Sequence, residues 1–261
     1  MYRHHLETIK NITDKLKVQE EVQAIIIGGS IAHQLETEKS DVDILVVISD
    51  DEYKKRKEAG LTHFVERESC TYEEGYIDGK YINLEFLEKV ASYGSEAARF
   101  AFDGAWATYS KTDDIKLLIK QIVRYPVEKK QETINRFYAQ FKAWNWYCYE
   151  AINHDNRYLL NHSVSNLVLF GGRMILAHNE VLYPYHKWFL RVLEGVKEKP
   201  ENLMENIHQL IENPTVDHIK SFYECILNFR DWNVADLNWQ SIFIRDSEQN
   251  WMDGWTPVAD I

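Results

Sequence analysis

Residues 22–48 read VQAIIIGGSIAHQLETEKSDVDILVVI, and they contain the most specific motif of the chain. Two short apolar runs within it, Val22–Ile27 and Val42–Ile48, have the length of buried strands. The first run ends in a Gly-Gly-Ser turn at 28–30, and an Asp-Val-Asp motif at 41–43 opens the second. The combination of a strand, a glycine turn, a short helix and a second strand opened by two acids is far more specific than either half alone.

The polar residues of this stretch are suited to binding a metal ion and a phosphate. Side chains alternate along a strand, so Asp41 and Asp43 are predicted to point to the same side. Two carboxylates so close repel one another unless a cation lies between them, and Mg²⁺ held jointly with substrate phosphates prefers such oxygen ligands. Gly28 and Gly29 allow backbone amides to approach a phosphate closely, and Ser30 adds a hydroxyl.

Helix and strand patterns alternate around this stretch. Leu6, Ile9, Ile12 and Leu16 recur at helical spacing and predict an amphipathic opening helix. Residues 71–77 and 80–87 flank Asp78-Gly79, which predicts a hairpin with a two-residue turn.

From residue 112 onward, aromatic and aliphatic stripes at helical spacing predict helices to near the end of the chain. We therefore expect an α/β (α+β) protein with two domains. Residues 1–111 would form a small mixed sheet flanked by helices, and residues 112–261 a helical bundle. Because no low-complexity linker separates them, the two parts are expected to pack together.

The motif at residues 22–48 resembles the DNA polymerase β-like nucleotidyltransferase superfamily, whose pattern is a strand, a Gly-Ser or Gly-Gly-Ser turn and an Asp-x-Asp strand. The similarity is strongest to bacterial lincosamide and aminoglycoside (antibiotic) nucleotidyltransferases, which join such a domain to a helical C-terminal domain. A looser resemblance extends to about Gly195. It implies that residues 1–111 are the catalytic domain and that residues 112–261 close on acceptor and nucleotide.

The resemblance also implies a third carboxylate on a neighbouring strand. If residues 80–87 form a strand, Ile82, Leu84 and Phe86 share one face, and Asn83 and Glu85 share the other. We therefore assign the third acid to Glu85. Asp41, Asp43 and Glu85 are the predicted catalytic residues and metal ligands.

Five residues are predicted to bind the nucleotide: Gly28, Gly29, Ser30, Arg173 and Lys187. The last two lie in the helical half and would close on the triphosphate. Close relatives often have Gly-Ser-x-Ala-Arg-Gly, whereas this chain has His33 and Gln34 at the Arg and Gly positions, which removes a permanent charge and some turn freedom.

The implied reaction transfers a nucleoside monophosphate from a nucleoside triphosphate, with ATP as the expected donor, to a hydroxyl of a small antibiotic-like molecule. Pyrophosphate is released, and two Mg²⁺ ions clamp the attacking and leaving oxygens. Two alternatives stay open. The chain is a nucleotidyltransferase that modifies protein or RNA, or it is a catalytically inactive nucleotide-binding or interaction module of the same fold.

Charge and composition narrow the range of possible partners and of cellular locations. Thirty Lys and Arg residues against 41 Asp and Glu residues give a formal net charge of −11, which disfavours nucleic acid as a partner. No apolar run approaches the roughly 20 residues of a membrane helix. The three cysteines, 70, 148 and 225, form no CxxC motif, so a cytoplasmic location is expected. The resemblance is compatible with a homodimer.

Overall fold

The computed structural model describes residues 1–254 of the 261-residue chain. The chain forms two compact units, Met1–Arg124 and a second that begins at Tyr125. The first contains a five-stranded sheet flanked by helices, and the described part of the second is helical. The predicted α/β class with a helical C-terminal region is therefore confirmed.

The first unit alternates helices and strands around one sheet. In chain order its elements are α1 (Arg3–Leu16), β1 (Val22–Ile27), α2 (Gly29–Ala32), β2 (Val42–Ile48), α3 (Asp50–Glu58), β3 (His63–Glu66), β4 (Ile77–Ile82), α4 (Leu84–Tyr93), α5 (Glu96–Phe100), β5 (Trp106–Ser110) and α6 (Asp114–Ile122).

The sheet has the strand order β3-β4-β2-β1-β5. The pair β2–β4 is parallel, and β1–β2, β1–β5 and β3–β4 are antiparallel. Because of these directions, the end of β1 and the starts of β2, β4 and β5 all lie at the same end of the sheet. The acid motif at 41–43 and the glycine turn at 28–30 consequently meet at one edge of the sheet.

Both faces of the sheet are covered by helices. On one face the buried strand residues pack with Ile9, Ile12 and Leu16 of α1, whereas Leu6 of the same predicted stripe is exposed. On the other face they pack with apolar residues of α4 and α6. Burial of apolar side chains on both faces is the main source of stability for such a layered unit.

Helix α6 belongs to the first unit. Its apolar stripe, Ile115, Ile119 and Ile122, is buried in the same cluster as Ile26 and Leu87. The sequence placed the boundary between the two parts after residue 111, whereas the structure divides the chain after Arg124. The reason is that α6 is amphipathic and buries its apolar stripe in the core of the sheet.

The hairpin predicted at residues 71–87 is wrong. Asp78 and Gly79 lie inside β4, where the ring of Phe64 covers Gly79 so closely that a Cβ there would overlap it. A glycine in a strand often marks such a close approach. The chain then leaves the strand at Asn83, whose side chain accepts a hydrogen bond from the Phe86 amide (3.1 Å) and caps α4.

The second unit consists of helices in the part that the structure describes. They are α7 (Lys130–Asn153), α8 (Arg157–His178), α9 (Tyr185–Gly195), α10 (Leu203–Glu212), α11 (Val216–Leu227), α12 (Trp239–Phe243) and α13 (Asn250–Asp253), with a 3-10 turn at Val127–Lys129 and a π-helical turn at Ile244–Glu248. The long helices α7 and α8 pack along one another. Among residues 1–254, no helix has both the length and the apolar content that crossing a bilayer requires.

Candidate active site

Three carboxylates meet at the end of the sheet at which strands β2 and β4 begin. Asp43 in β2 and Asp78 in β4 are direct partners in the parallel register, and Asp41 lies just before β2. One carboxylate oxygen from each of the three lies within 4.8 Å of the others, and all three residues are half-buried. Among the side chains that the structure describes, no other group of His, Cys, Asp or Glu converges in this way.

The strand geometry of β2 explains why two of these acids share a side. Val42 and Ile44 are buried, at 0% and 1% exposure, whereas Asp41 and Asp43 alternate with them and are partly exposed. Alternation along the strand therefore brings both carboxylates to the same side, as the spacing predicted.

The glycine turn lies directly against this cluster. The Gly28 amide donates a hydrogen bond to the Asp43 carbonyl (3.1 Å). Gly29 has a φ of +60°, and a Cβ at this position would overlap the Asp43 carboxylate. Ser30 is only 8% exposed, and its hydroxyl has no hydrogen-bond partner among the described residues. A buried hydroxyl without a partner is costly and often marks a ligand position.

Two tyrosines beside the cluster have raised pKa values, and the charge of Asp41 contributes to both. The Asp41 charge raises the pKa of Tyr76, whose hydroxyl also donates a hydrogen bond to that carboxylate. Burial raises the pKa of Tyr72 to about 12, with smaller contributions from Cys70 and Asp41. The site thus carries a negative field that favours a bound cation.

Further side chains hold the residues of the cluster. His63 Nε2 lies 2.7 Å from Asp78 Oδ1, and the Lys80 ammonium lies 3.8 Å from Asp78 Oδ2. The carbonyl of Ser40, just before Asp41, accepts hydrogen bonds from the Tyr72 hydroxyl (2.6 Å) and from His5 Nε2 (3.0 Å). The entry to β2 is therefore fixed by helix α1 and by the segment between β3 and β4.

A cavity of about 660 Å³ adjoins α2 on the side of β5. Ligand pockets for small molecules commonly have volumes of roughly 300–1,000 Å³. The cavity is lined by backbone and side chains of mixed polarity: Met1, Tyr2, Ile31, Ala32, Gln34, Glu36, Gly104 and Trp106.

Glu85 lies outside the carboxylate cluster. It occupies the first turn of α4, is 60% exposed at the side chain and pairs with Lys89 at 2.7 Å. The Lys89 ammonium lowers the pKa of the Glu85 carboxyl. A place for Glu85 on a strand face requires a strand over residues 80–87, whereas β4 ends at Ile82. The acid that joins the cluster is Asp78, which the hairpin interpretation had assigned to a turn.

The two cations predicted to bind phosphate both lie in the second unit. Arg173 in α8 is fully buried, and its guanidinium lies 4.2 Å from the ring centroid of Phe137 and 4.3 Å from that of Tyr183. Lys187 in α9 is exposed, and its ammonium lies 5.1 Å from the Trp188 ring. Their predicted contact with a triphosphate stays a prediction.

Residues 10–95 match the family model described as polymerase beta nucleotidyltransferase. The match includes the glycine turn and all three carboxylates of the cluster. The matched segment lies within the first unit. Among solved structures, a nucleotidyltransferase-like protein from Exiguobacterium sibiricum 255-15 is similar in fold, with a TM-score of 0.50 and 13% identity over 94% of this chain and 80% of that protein. No curated protein matches in sequence.

The residues of the carboxylate cluster and of the glycine turn fit a divalent cation and a phosphate. Three carboxylates supply the hard oxygen ligands that Mg²⁺ prefers. The unpartnered Ser30 hydroxyl is suited to a phosphate oxygen beside the ion.

Proposed function

We propose that this protein transfers a nucleoside monophosphate from a nucleoside triphosphate to a hydroxyl of a small molecule, with release of pyrophosphate. The observation that carries the proposal is the convergence of Asp41, Asp43 and Asp78 beside a glycine turn, within a segment that matches a nucleotidyltransferase family. ATP is the expected donor. The expectation of an antibiotic-like acceptor rests on the sequence resemblance alone, and the cavity beside α2 is compatible with a small substrate.

In the proposed site, Asp41, Asp43 and Asp78 would hold Mg²⁺, two ions being expected. When bound, Mg²⁺ would neutralise charge on the phosphate oxygens and orient the reacting groups. Ser30 would donate a hydrogen bond from its hydroxyl to a phosphate oxygen, and the backbone at Gly28 and Gly29 would allow the triphosphate to approach closely. Arg173 and Lys187 remain predicted triphosphate contacts from the second unit.

The proposed chemistry is an in-line displacement at the α-phosphorus. A bond forms between the acceptor oxygen and this phosphorus, and the bond to the bridging oxygen of the leaving pyrophosphate breaks. The acceptor hydroxyl loses one proton in the reaction. We assign that proton to the Asp78 carboxylate.

Thermal unfolding with Mg²⁺ and a panel of nucleoside triphosphates tests the proposal. At about 100 times its Kd, a ligand stabilises by roughly 2.7 kcal/mol, a shift of about 5–10 °C for a chain of this size. The shift should require Mg²⁺ and should vanish in the Asp41→Asn/Asp43→Asn variant. Asp51→Asn/Glu58→Gln removes the same charge from exposed positions of α3 and should retain the shift.

Pyrophosphate release can then be screened with hydroxylated small molecules, starting with an aminoglycoside and a lincosamide. Acceptor-dependent release by the wild type and its loss in the double aspartate variant are the expected results. If no triphosphate shifts the unfolding temperature at millimolar concentration, the transferase proposal fails and an interaction module is the better description.

A further inference from the structure

His63 makes a specific contact with one oxygen of a carboxylate in the cluster. It lies on the edge strand β3 opposite Lys80 of β4, and its Nε2 is 2.7 Å from Asp78 Oδ1. Since an ionised carboxylate can only accept hydrogen bonds, the Nε2–H of His63 is the donor. The contact engages Oδ1 and leaves Oδ2 for another ligand. Lys80, at 3.8 Å from Oδ2, lies beyond hydrogen-bond distance.

Each of the other two acids has its own constraint. Asp43 abuts Gly29 so closely that a side chain there would overlap its carboxylate, and Asp41 accepts a hydrogen bond from Tyr76. Asp78 is held instead by the hydrogen bond from β3. Carboxylates that ligate metals are commonly oriented by such outer hydrogen bonds, and loss of one typically costs about 10–100-fold in metal affinity or activity.

We propose that His63 is a positioning residue that orients the Asp78 carboxylate for metal binding. The inference rests on the proposed function, because it assumes that Asp78 takes part in the metal site. His63 is 56% exposed at the side chain and Asp78 is 25% exposed. A single hydrogen bond from an exposed side chain contributes little to folding stability. Loss of the His63 hydrogen bond should therefore change metal binding without changing the unfolding temperature of the protein alone.

Two variants separate orientation from packing. His63→Leu removes the donor, whereas His63→Gln keeps an N–H donor at a similar reach. His154→Leu is the matched control, since His154 in the second unit also lies near a carboxylate, Glu150, at 3.6 Å and is 73% exposed. The readout is the Mn²⁺ concentration that gives half of the thermal shift at fixed ATP, which requires no acceptor and no turnover.

We expect His63→Leu to raise this concentration about 10–100-fold, His63→Gln to restore most of the affinity, and His154→Leu to have no effect. An unchanged Mn²⁺ requirement in His63→Leu overturns the inference. So does an equal loss in the Leu and Gln variants together with a lower unfolding temperature without ligand, because that pattern indicates a structural role.

The same experiment distinguishes the two proposals. If the wild type shows a Mn²⁺-dependent shift that Asp41→Asn/Asp43→Asn abolishes and His63→Leu retains, only the role of His63 is rejected. If the wild type shows no such shift, the proposed function is rejected and the role of His63 with it.

Discussion

Asp43 and Asp78 are cross-strand partners in the parallel pair β2–β4, so their side chains emerge side by side on one face of the sheet. Parallel strands need a long connection, here through α3 and β3, so the two acids are far apart in sequence. The fold therefore adds a third acid, Asp78, to the two acids that the motif at residues 41–43 supplies.

This pairing predicts that only one of two acid-to-amide substitutions reduces the binding of Mg²⁺-ATP. Asp78→Asn removes a carboxylate from the cluster, so it should abolish most of the Mg²⁺-ATP thermal shift of about 5–10 °C. Glu85→Gln removes only an exposed pair with Lys89 and should keep the shift. Thermal unfolding with and without Mg²⁺-ATP provides the measurement. If Glu85→Gln loses the shift and Asp78→Asn keeps it, Glu85 and not Asp78 is the third acid of the metal site.

The local motif could be predicted because its determinants are local. The two apolar runs, the glycine turn and the alternation of Asp41 and Asp43 all follow from neighbouring residues. Asp78 could not be assigned in this way. Asp78-Gly79 satisfies the rule for a two-residue turn, and only the ring of Phe64, which arrives from β3, explains why a glycine belongs inside a strand.

One local signal would have corrected the strand predicted at residues 80–87. Asn83 is a strong helix N-cap, and Glu85 in the following turn favours a helix N-terminus. Leu84, Leu87 and Ala91 then recur at helical spacing. Read together, these features start a helix at residue 84 and exclude Glu85 from a strand face.

Gly29 and Gly60 provide a matched pair for testing the close contact at the site. Both have a positive φ, +60° and +71°, but an added Cβ overlaps the Asp43 carboxylate at Gly29 and meets nothing within 4 Å at Gly60. Each change to alanine should cost about 1–2 kcal/mol from the left-handed backbone conformation. Only Gly29→Ala should also displace the carboxylate and lose the Mg²⁺-ATP shift. Urea unfolding and thermal shifts measure the two effects, and a Gly29→Ala variant that binds Mg²⁺-ATP normally would contradict this account.

We predict that the protonation of His5 makes the folded protein less stable in mild acid. Burial, and then the neighbouring charge of His4, lower its pKa below the ordinary 6.5, while the Ser40 carbonyl and Glu36 act in the opposite direction. Between the folded-state pKa and 6.5 the unfolded chain binds more protons than the folded one. Stability therefore falls as the pH drops below 6.5, by at most about 1.4 kcal/mol per pH unit for this one proton.

The measurement is the free energy of unfolding in urea at pH 7.5 and 5.5. His5→Gln keeps an N–H donor for Ser40 but cannot titrate, so the difference between the two pH values should shrink. His154→Gln, at an exposed position of the second unit, should leave it as in the wild type. An identical pH dependence in wild type and His5→Gln would show that His5 does not contribute to the acid sensitivity.

We predict that the planar guanidinium of Arg173 stabilises the second unit. The guanidinium lies against the rings of Phe137 and Tyr183 at 4.2 and 4.3 Å, in a fully buried position. A lysine keeps the charge but cannot stack on two rings, and a desolvated cation–π contact is worth about 2 kcal/mol. Arg173→Lys should therefore lose on the order of 2–4 kcal/mol in urea unfolding. Lys187→Ala, at an exposed site of the same unit, should change stability by less than about 0.5 kcal/mol. Wild-type stability in Arg173→Lys would mean that charge alone, without stacking, is what the buried position requires.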